Sequence, residues 1–132
     1  MSDSLLGELV EEQLGSVVFV MDYLQLDFGY ARFTASVWPM VTIGDATLRF
    51  GDTGYRDALC AFLTHEVTST EESAEAGLVI RFGLGEIVTS PGPGDLSGPE
   101  IARLQLHEAP FRDAAWEVWR PGEGVFAGRD WA

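Results

Sequence analysis

The 132-residue chain has no lysine and no asparagine, and it has few histidines (two) and cysteines (one). Lys and Asn codons are adenine-rich, so their joint absence points to a GC-rich coding sequence of the kind found in many actinobacteria. All eight basic residues are therefore arginine, against 21 Asp plus Glu, for a formal net charge of −13. A surface so short of cations repels phosphate backbones and anionic lipid heads while attracting basic proteins. Nucleic acid and membrane are thus not expected as partners, and a basic protein is.

The single Cys60 excludes an intramolecular disulfide framework and fits a reducing cytosol. It lies in the run Ala58-Leu59-Cys60-Ala61-Phe62-Leu63, where a buried small hydrophobe is expected rather than a nucleophile. The first residues lack the basic region of a signal peptide. No apolar run approaches the roughly 20 residues that span a bilayer. A cytoplasmic location is the expectation.

Motifs for chemistry are also missing. No serine has the Gly-x-Ser-x-Gly flanks of a nucleophile elbow, and neither His-Glu-x-x-His nor Cys-x-x-Cys occurs. Gly92-Pro93-Gly94 is a poor phosphate cradle, because proline has no amide to donate and no Gly-Lys-Ser/Thr follows. Glu8, Glu11 and Glu12 read as a solvated face, and Glu71-Glu72-Ser73-Ala74-Glu75 lacks the pattern of a calcium loop. His65 and His107 stand without an orienting motif. No catalytic residue, metal ligand or cofactor is assigned.

What is present is an ordinary globular composition, 46% hydrophobic and 22% charged, consistent with one domain over residues 1–132. Leu5 to Leu14 reads as a short helix stopped by Gly15. Val17–Met21 and Leu24–Phe28 read as a core hairpin about which the chain is arranged, Arg32–Trp38 as a third strand, and Val41–Ile43 with Thr47–Phe50 as a small extra hairpin. Asp52 or Thr53 is placed to cap a helix from Tyr55 to Leu63. Strands are expected at His65–Thr70, Leu78–Phe82 and Glu86–Ser90, with Glu71–Gly77 as an acidic loop. Ser97, Pro99 and Glu100 have capping-box character and predict the start of a short helix; Leu104 to His107 either continues it or forms a strand, and Pro110 closes it either way. Trp116 to Trp119 alternates as a strand, and Phe126 and Trp131 in the segment 122–132 are candidates to dock on the core.

Two segments, 5–38 and 55–90, each read as a helix followed by three antiparallel strands, with 91–132 as a C-terminal extension. Leu14 matches Leu63, Val18 matches Val67, and Leu24, Leu26, Phe28 and Gly29 match Leu78, Ile80, Phe82 and Gly83. The fold expected is α+β: a curved or barrel-like antiparallel sheet built from two helix-plus-three-strand repeats in pseudo-twofold relation.

If Leu24, Leu26 and Phe28 face the core, the alternate residues Tyr23, Gln25 and Asp27 face outward. An aromatic, an amide and a carboxylate on a rigid strand form a candidate binding surface, with Asp27 also placed to pair with Arg32 across the turn.

The stretch Phe19-Val20-Met21-Asp22-Tyr23-Leu24-Gln25-Leu26-Asp27-Phe28 resembles stretches in small bacterial proteins of unknown function. So does Gly54-Tyr55-Arg56-Asp57-Ala58-Leu59 paired with Gly98-Pro99-Glu100. The resemblance covers the first half of the chain plus that turn. It implies a self-contained bacterial domain and no activity.

The sequence thus favours a non-enzymatic acidic binding protein that engages a protein partner, an immunity or inhibitor role being compatible. The alternative is a small-molecule binding protein or enzyme with a pocket between sheet and helices, involving His65 or His107. Homodimerisation through an uncovered sheet face or edge is a third expectation.

Overall fold

Apolar residues recur at every second position through most of the chain, and strands are what that period builds. The computed structural model describes residues 5–96, 98–107, 115–129 and 131. Its strands are β1 (Ser16–Val20), β2 (Tyr23–Asp27), β3 (Ala31–Ala35), β4 (Met40–Ile43), β5 (Ala46–Leu48), β6 (Val67–Ser73), β7 (Gly77–Phe82), β8 (Gly85–Thr89), β9 (Ala102–Leu106) and β10 (Ala115–Trp119). One short helix, α1 (Tyr55–Cys60), lies between β5 and β6.

The strands form two five-stranded antiparallel sheets rather than one curved sheet or closed barrel. The first has the order β1-β2-β3-β9-β10 and the second β5-β4-β8-β7-β6. Each is a three-stranded meander, β1–β3 or β6–β8, with a hairpin from elsewhere in the chain added beside its last strand. The hairpin β4–β5 follows the first meander in sequence yet joins the second sheet. The β9–β10 pair follows the second meander and joins the first.

The inner faces of both sheets contribute to one apolar cluster. Leu24, Leu26, Phe33 and Leu104 come from the first sheet and Leu78, Ile80 and Ile87 from the second, each at most 1% exposed. Full burial of such a side chain contributes about 1.5–3 kcal/mol before the cost of ordering it. Leu59 and Phe62 close the cluster from α1 and its continuation, and Phe126 docks on it from the C-terminal segment. Phe28 and Phe82 are buried with their strand mates, whereas Val18 and Val67 take different environments: Val18 is on the solvent side and Val67 in the core.

Several local expectations are corrected. Residues 5–14 are not one helix; a 3₁₀ turn covers Leu5–Leu9, and Glu11, at φ 74°, ends it. The chain then runs extended beside residues 64–67, with Glu11 N–H donating to the Val67 carbonyl and Val67 N–H to that of Glu12. The β1–β2 hairpin forms but lies at the edge of its sheet, not the centre. Helix α1 is preceded by Gly54 at φ 90° with no side-chain cap, because the Asp52 carboxylate is taken by the Arg49 amide at 2.8 Å. Glu71 and Glu72 are not in a loop; β6 continues to Ser73, where cross-strand partners hold it. The helix expected near residue 100 is replaced by a 3₁₀ turn at Pro93–Asp95 and by β9, since β3 supplies a partner with which Ala102, Leu104 and Leu106 alternate inward. Ser97 and Pro110 lie outside the described residues.

Candidate functional site

Tyr23, Gln25 and Asp27 share the outward face of β2 and are half-buried. Their neighbours come from four other strands, which the register specifies. One cross-strand row reads Ser16, Asp27, Arg32, Gln105, Trp116, and the next reads Val18, Gln25, Thr34, Arg103, Val118. Tyr23 pairs with Val20 beyond them. The result is a five-stranded solvent face on which Tyr23, Val18, Val118 and Trp116 form the apolar component. Trp116 is 64% exposed. Met21, 94% exposed, and Tyr30 occupy the turns at opposite ends of β2.

The charges on this face are paired. Arg32 Nε donates to Asp27 Oδ1 at 2.7 Å, and Ser16 Oγ donates to Oδ2 at 3.1 Å. Asp27 is therefore committed within the sheet, as its position opposite Arg32 requires, and is not an open recognition group. Arg103 bridges to Glu100 at 3.2 Å and lies over the Trp116 ring, 5.4 Å from its centroid. These two pairs balance their own charges, while Asp22, exposed at the β1–β2 turn, borders the face beside Tyr23 and Glu100, and Glu8, Glu11, Asp45, Asp57, Glu66 and Glu75 are exposed elsewhere on the described surface.

The alternation along β2 identifies Tyr23, Gln25 and Asp27 as outward-facing, and no local pattern records that Trp116, Val18 and Arg103 share their surface. The alternation at 115–119 puts Trp116 and Trp119 on opposite sides of a strand, but it does not say which strand they join. That information resides in the β3–β9 pairing across about 70 residues of chain.

The outer face of the second sheet differs in kind. Arg81 there bonds Glu71 at 2.6 Å and Glu86 at 3.3 Å. The Arg81 hydrogen bond, helped by Ser73, holds the Glu71 carboxyl below its usual range. This network satisfies its own charges and leaves no ring exposed beside it.

Where the edge strands β10 and β6 approach, Trp119 Nε1 donates to Glu72 Oε2 at 2.8 Å. Glu117 on the same side of β10 has its carboxyl pushed up, chiefly by burial and then by the Glu72 charge, against an opposing hydrogen bond from the Leu5 amide. Tyr55 is likewise pushed up by burial and donates its hydroxyl to the Pro39 carbonyl at 2.5 Å.

His65 and His107 are both exposed and far apart in register terms, one before β6 and the other after β9. His107 borders a shallow hollow of about 380 Å³ with Gln105 and Trp116. Cys60 is exposed at the end of α1, contrary to the burial expected, because the helix turns Ala58, Leu59 and Phe62 inward instead. Among the described residues no group of three or more His, Cys, Asp or Glu is placed to hold a metal ion. No described helix is long and apolar enough to cross a membrane.

A larger cleft, about 570 Å³, lies at the far end of the second sheet. Trp38, Met40, Phe50, Val88 and Pro91 supply its apolar surface, with Arg49 and Asp95 among its polar lining. Trp38 and Phe50 stack at 4.3 Å between centroids. No family model, curated protein or solved structure matches the chain.

Proposed function

We propose that the protein is a non-enzymatic binding protein whose first sheet receives a basic protein partner on its solvent face. One observation carries the reading: five strands present Tyr23, Val18, Val118 and Trp116 together, uncovered by any described segment. An exposed tryptophan beside a half-buried tyrosine amid polar groups supplies the side-chain types that dominate binding energy at protein interfaces. The Asp27–Arg32 and Glu100–Arg103 pairs balance most of the charge on the face, exposed Asp22 at its border is left to meet a cationic group, and the net charge of −13 draws a basic partner from a distance. Lone exposed Cys60 fits the reducing cytoplasm as the compartment.

The test is to retain partners on the immobilised protein and measure the affinity of each between 50 and about 500 mM salt, beyond which exposed charges are screened within a few ångströms. The reading expects a basic partner whose on-rate falls with salt and whose complex is weakened by Trp116→Ala. An affinity indifferent to both contradicts it.

A duplicated origin for residues 5–38 and 55–90 remains part of this proposal. It is supported by the shared order of helical turn, three-stranded meander and following hairpin, and by each hairpin joining the other unit's sheet. Because each unit's sheet is completed by the other's hairpin, chains divided between Gly51 and Gly54 should fold on mixing and not separately; a half that folds alone argues against two interdependent units.

A further inference from the structure

We propose that the cleft at the end of the second sheet binds a small organic acid with an aromatic or branched apolar body, its carboxylate seated on Arg49. The cleft follows from the register. Met40 on β4 lies opposite Val88 on β8, and the pairing of Val41 with Leu48 sets Arg49, just past β5, beside Met40. Arg49, Met40 and Val88 therefore make a continuous cross-strand floor on the outer side of the sheet. Trp38 and Phe50 rise on one side of it, and the chain from Ser90 to Asp95 on the other. Its volume of about 570 Å³ falls in the range of small-molecule sites, and apolar walls with few polar groups are their usual construction.

Of the charged groups, Arg49 is the one with donors open to a ligand, while the nearby carboxylates keep their charge but are held by the backbone. Asp95 Oδ2 accepts the Gly92 amide at 2.8 Å and Asp52, next to the cleft in sequence, accepts the Arg49 amide at 2.8 Å. Both carboxylates are thereby tied to backbone donors. The Arg49 guanidinium, by contrast, makes no hydrogen bond or ion pair among the described residues, in a chain where carboxylates outnumber arginines by 21 to 8. Arg32, Arg81, Arg103 and Arg120 have a carboxylate partner, Arg129 donates to two backbone carbonyls, and Arg56 lies over the Phe19 ring. Arg49 thus keeps its planar fork of donors open, which matches a carboxylate bidentately.

Trp38 is stacked on Phe50 at 4.3 Å and lies near-parallel to Phe19, so it offers no open face to a cation; Phe50, 47% exposed, does, and titration with an amine reads that competing contact. The net negative charge of the protein does not reverse the preference, because exposed charges beyond about 8 Å are screened at physiological salt while Arg49 is in contact.

The experiment titrates ¹⁵N-labelled protein with phenylacetate, with phenethylamine as its cationic analogue and with benzyl alcohol as a neutral one. Saturable shifts of the Gly94 amide and the Trp38 indole are expected with phenylacetate, at an affinity about tenfold or more above that of the amine. Arg49→Gln should level the acid and the alcohol, while Arg56→Gln, altering another exposed arginine, should leave the acid's advantage intact. Equal or tighter binding of the amine, shifts centred elsewhere, or no saturation by phenylacetate overturns the proposal in the wild-type protein alone. An acid preference that survives Arg49→Gln overturns the role of that residue. Tighter binding of acetyl-Gly-Gly-Phe with a free carboxylate would replace the free acid by a peptide C-terminus as the occupant.

Discussion

Replacing Trp119 by Phe should cost far more than replacing Trp116 by Phe, three residues earlier on the same strand. Trp119 is 3% exposed, lies 6.3 Å from the Phe33 ring between centroids, and donates Nε1–H to the Glu72 carboxylate at 2.8 Å. A hydrogen bond to a charged group contributes about 1.5–3 kcal/mol, and the lower end applies because Glu72 is half-buried and water can take the donor's place. Shrinking the buried indole to a phenyl ring leaves about 35–40 Å³, or about 1 kcal/mol of cavity cost at ~24 cal/mol/Å³. The sum is about 2.5 kcal/mol, a fall in Tm of about 10 °C for a chain of this length. Trp116→Phe, on the solvent face, should stay within about 0.5 kcal/mol. Urea unfolding of both variants, with unchanged m-values, reads the difference. Equal losses, or a loss under about 0.5 kcal/mol for Trp119→Phe, would mean that β10 presents its other side to solvent and that Trp116 does not belong to the binding face.

Three further outcomes follow from the same geometry. A Cβ at Gly85 would overlap the Thr42 carbonyl oxygen and come within 3.0 Å of its carbon, prying β8 from β4, whereas nothing lies within 4 Å of one at Gly83; thermal unfolding should show Gly85→Ala losing about 1–3 kcal/mol or more and Gly83→Ala far less. Glu117 has a raised folded-state pKa, so its contribution is fully present below the unfolded carboxylate pKa and is lost as pH rises through the folded value. Glu117→Gln, which keeps an acceptor for the Leu5 amide, should therefore stabilise the protein at pH 7 and lose that advantage below about pH 4, as pH-dependent urea midpoints would show. Exposed Cys60 should react with a thiol reagent in the native protein at a rate close to that of a free thiol, and protection comparable to a buried thiol would contradict its placement.

The strands were legible because alternation is a local signal. Leu24, Leu26 and Phe28, and again Leu78, Ile80 and Phe82, face the core as the period of two demands. Asp27 and Arg32 pair as their positions across a short turn imply. What failed was tertiary. The helix start expected near residue 100 is absent, and of the two alternatives open at Leu104–His107 the strand forms, because β3 offers an edge to pair with. The division into two sheets depends on hairpins crossing to the other meander, and no local pattern records such an exchange. The candidate face was half visible for the same reason: β2 announced Tyr23 and Gln25, while Trp116 reached it through a long-range pairing. Phe50 gave no sign that it would stack on Trp38, since the two rings sit on separate strand ends.

The central claim is that the solvent face of the first sheet is the binding surface. Its most direct test is the affinity of the retained basic partner for a Tyr23→Ala/Trp116→Ala double variant, beside a Thr42→Ala/Ser69→Ala control on the outer face of the second sheet. A loss of at least about tenfold is expected for the first, as two interface aromatics require, and a change within about twofold for the control. Undiminished binding by the first variant, or a loss confined to the control, would contradict it.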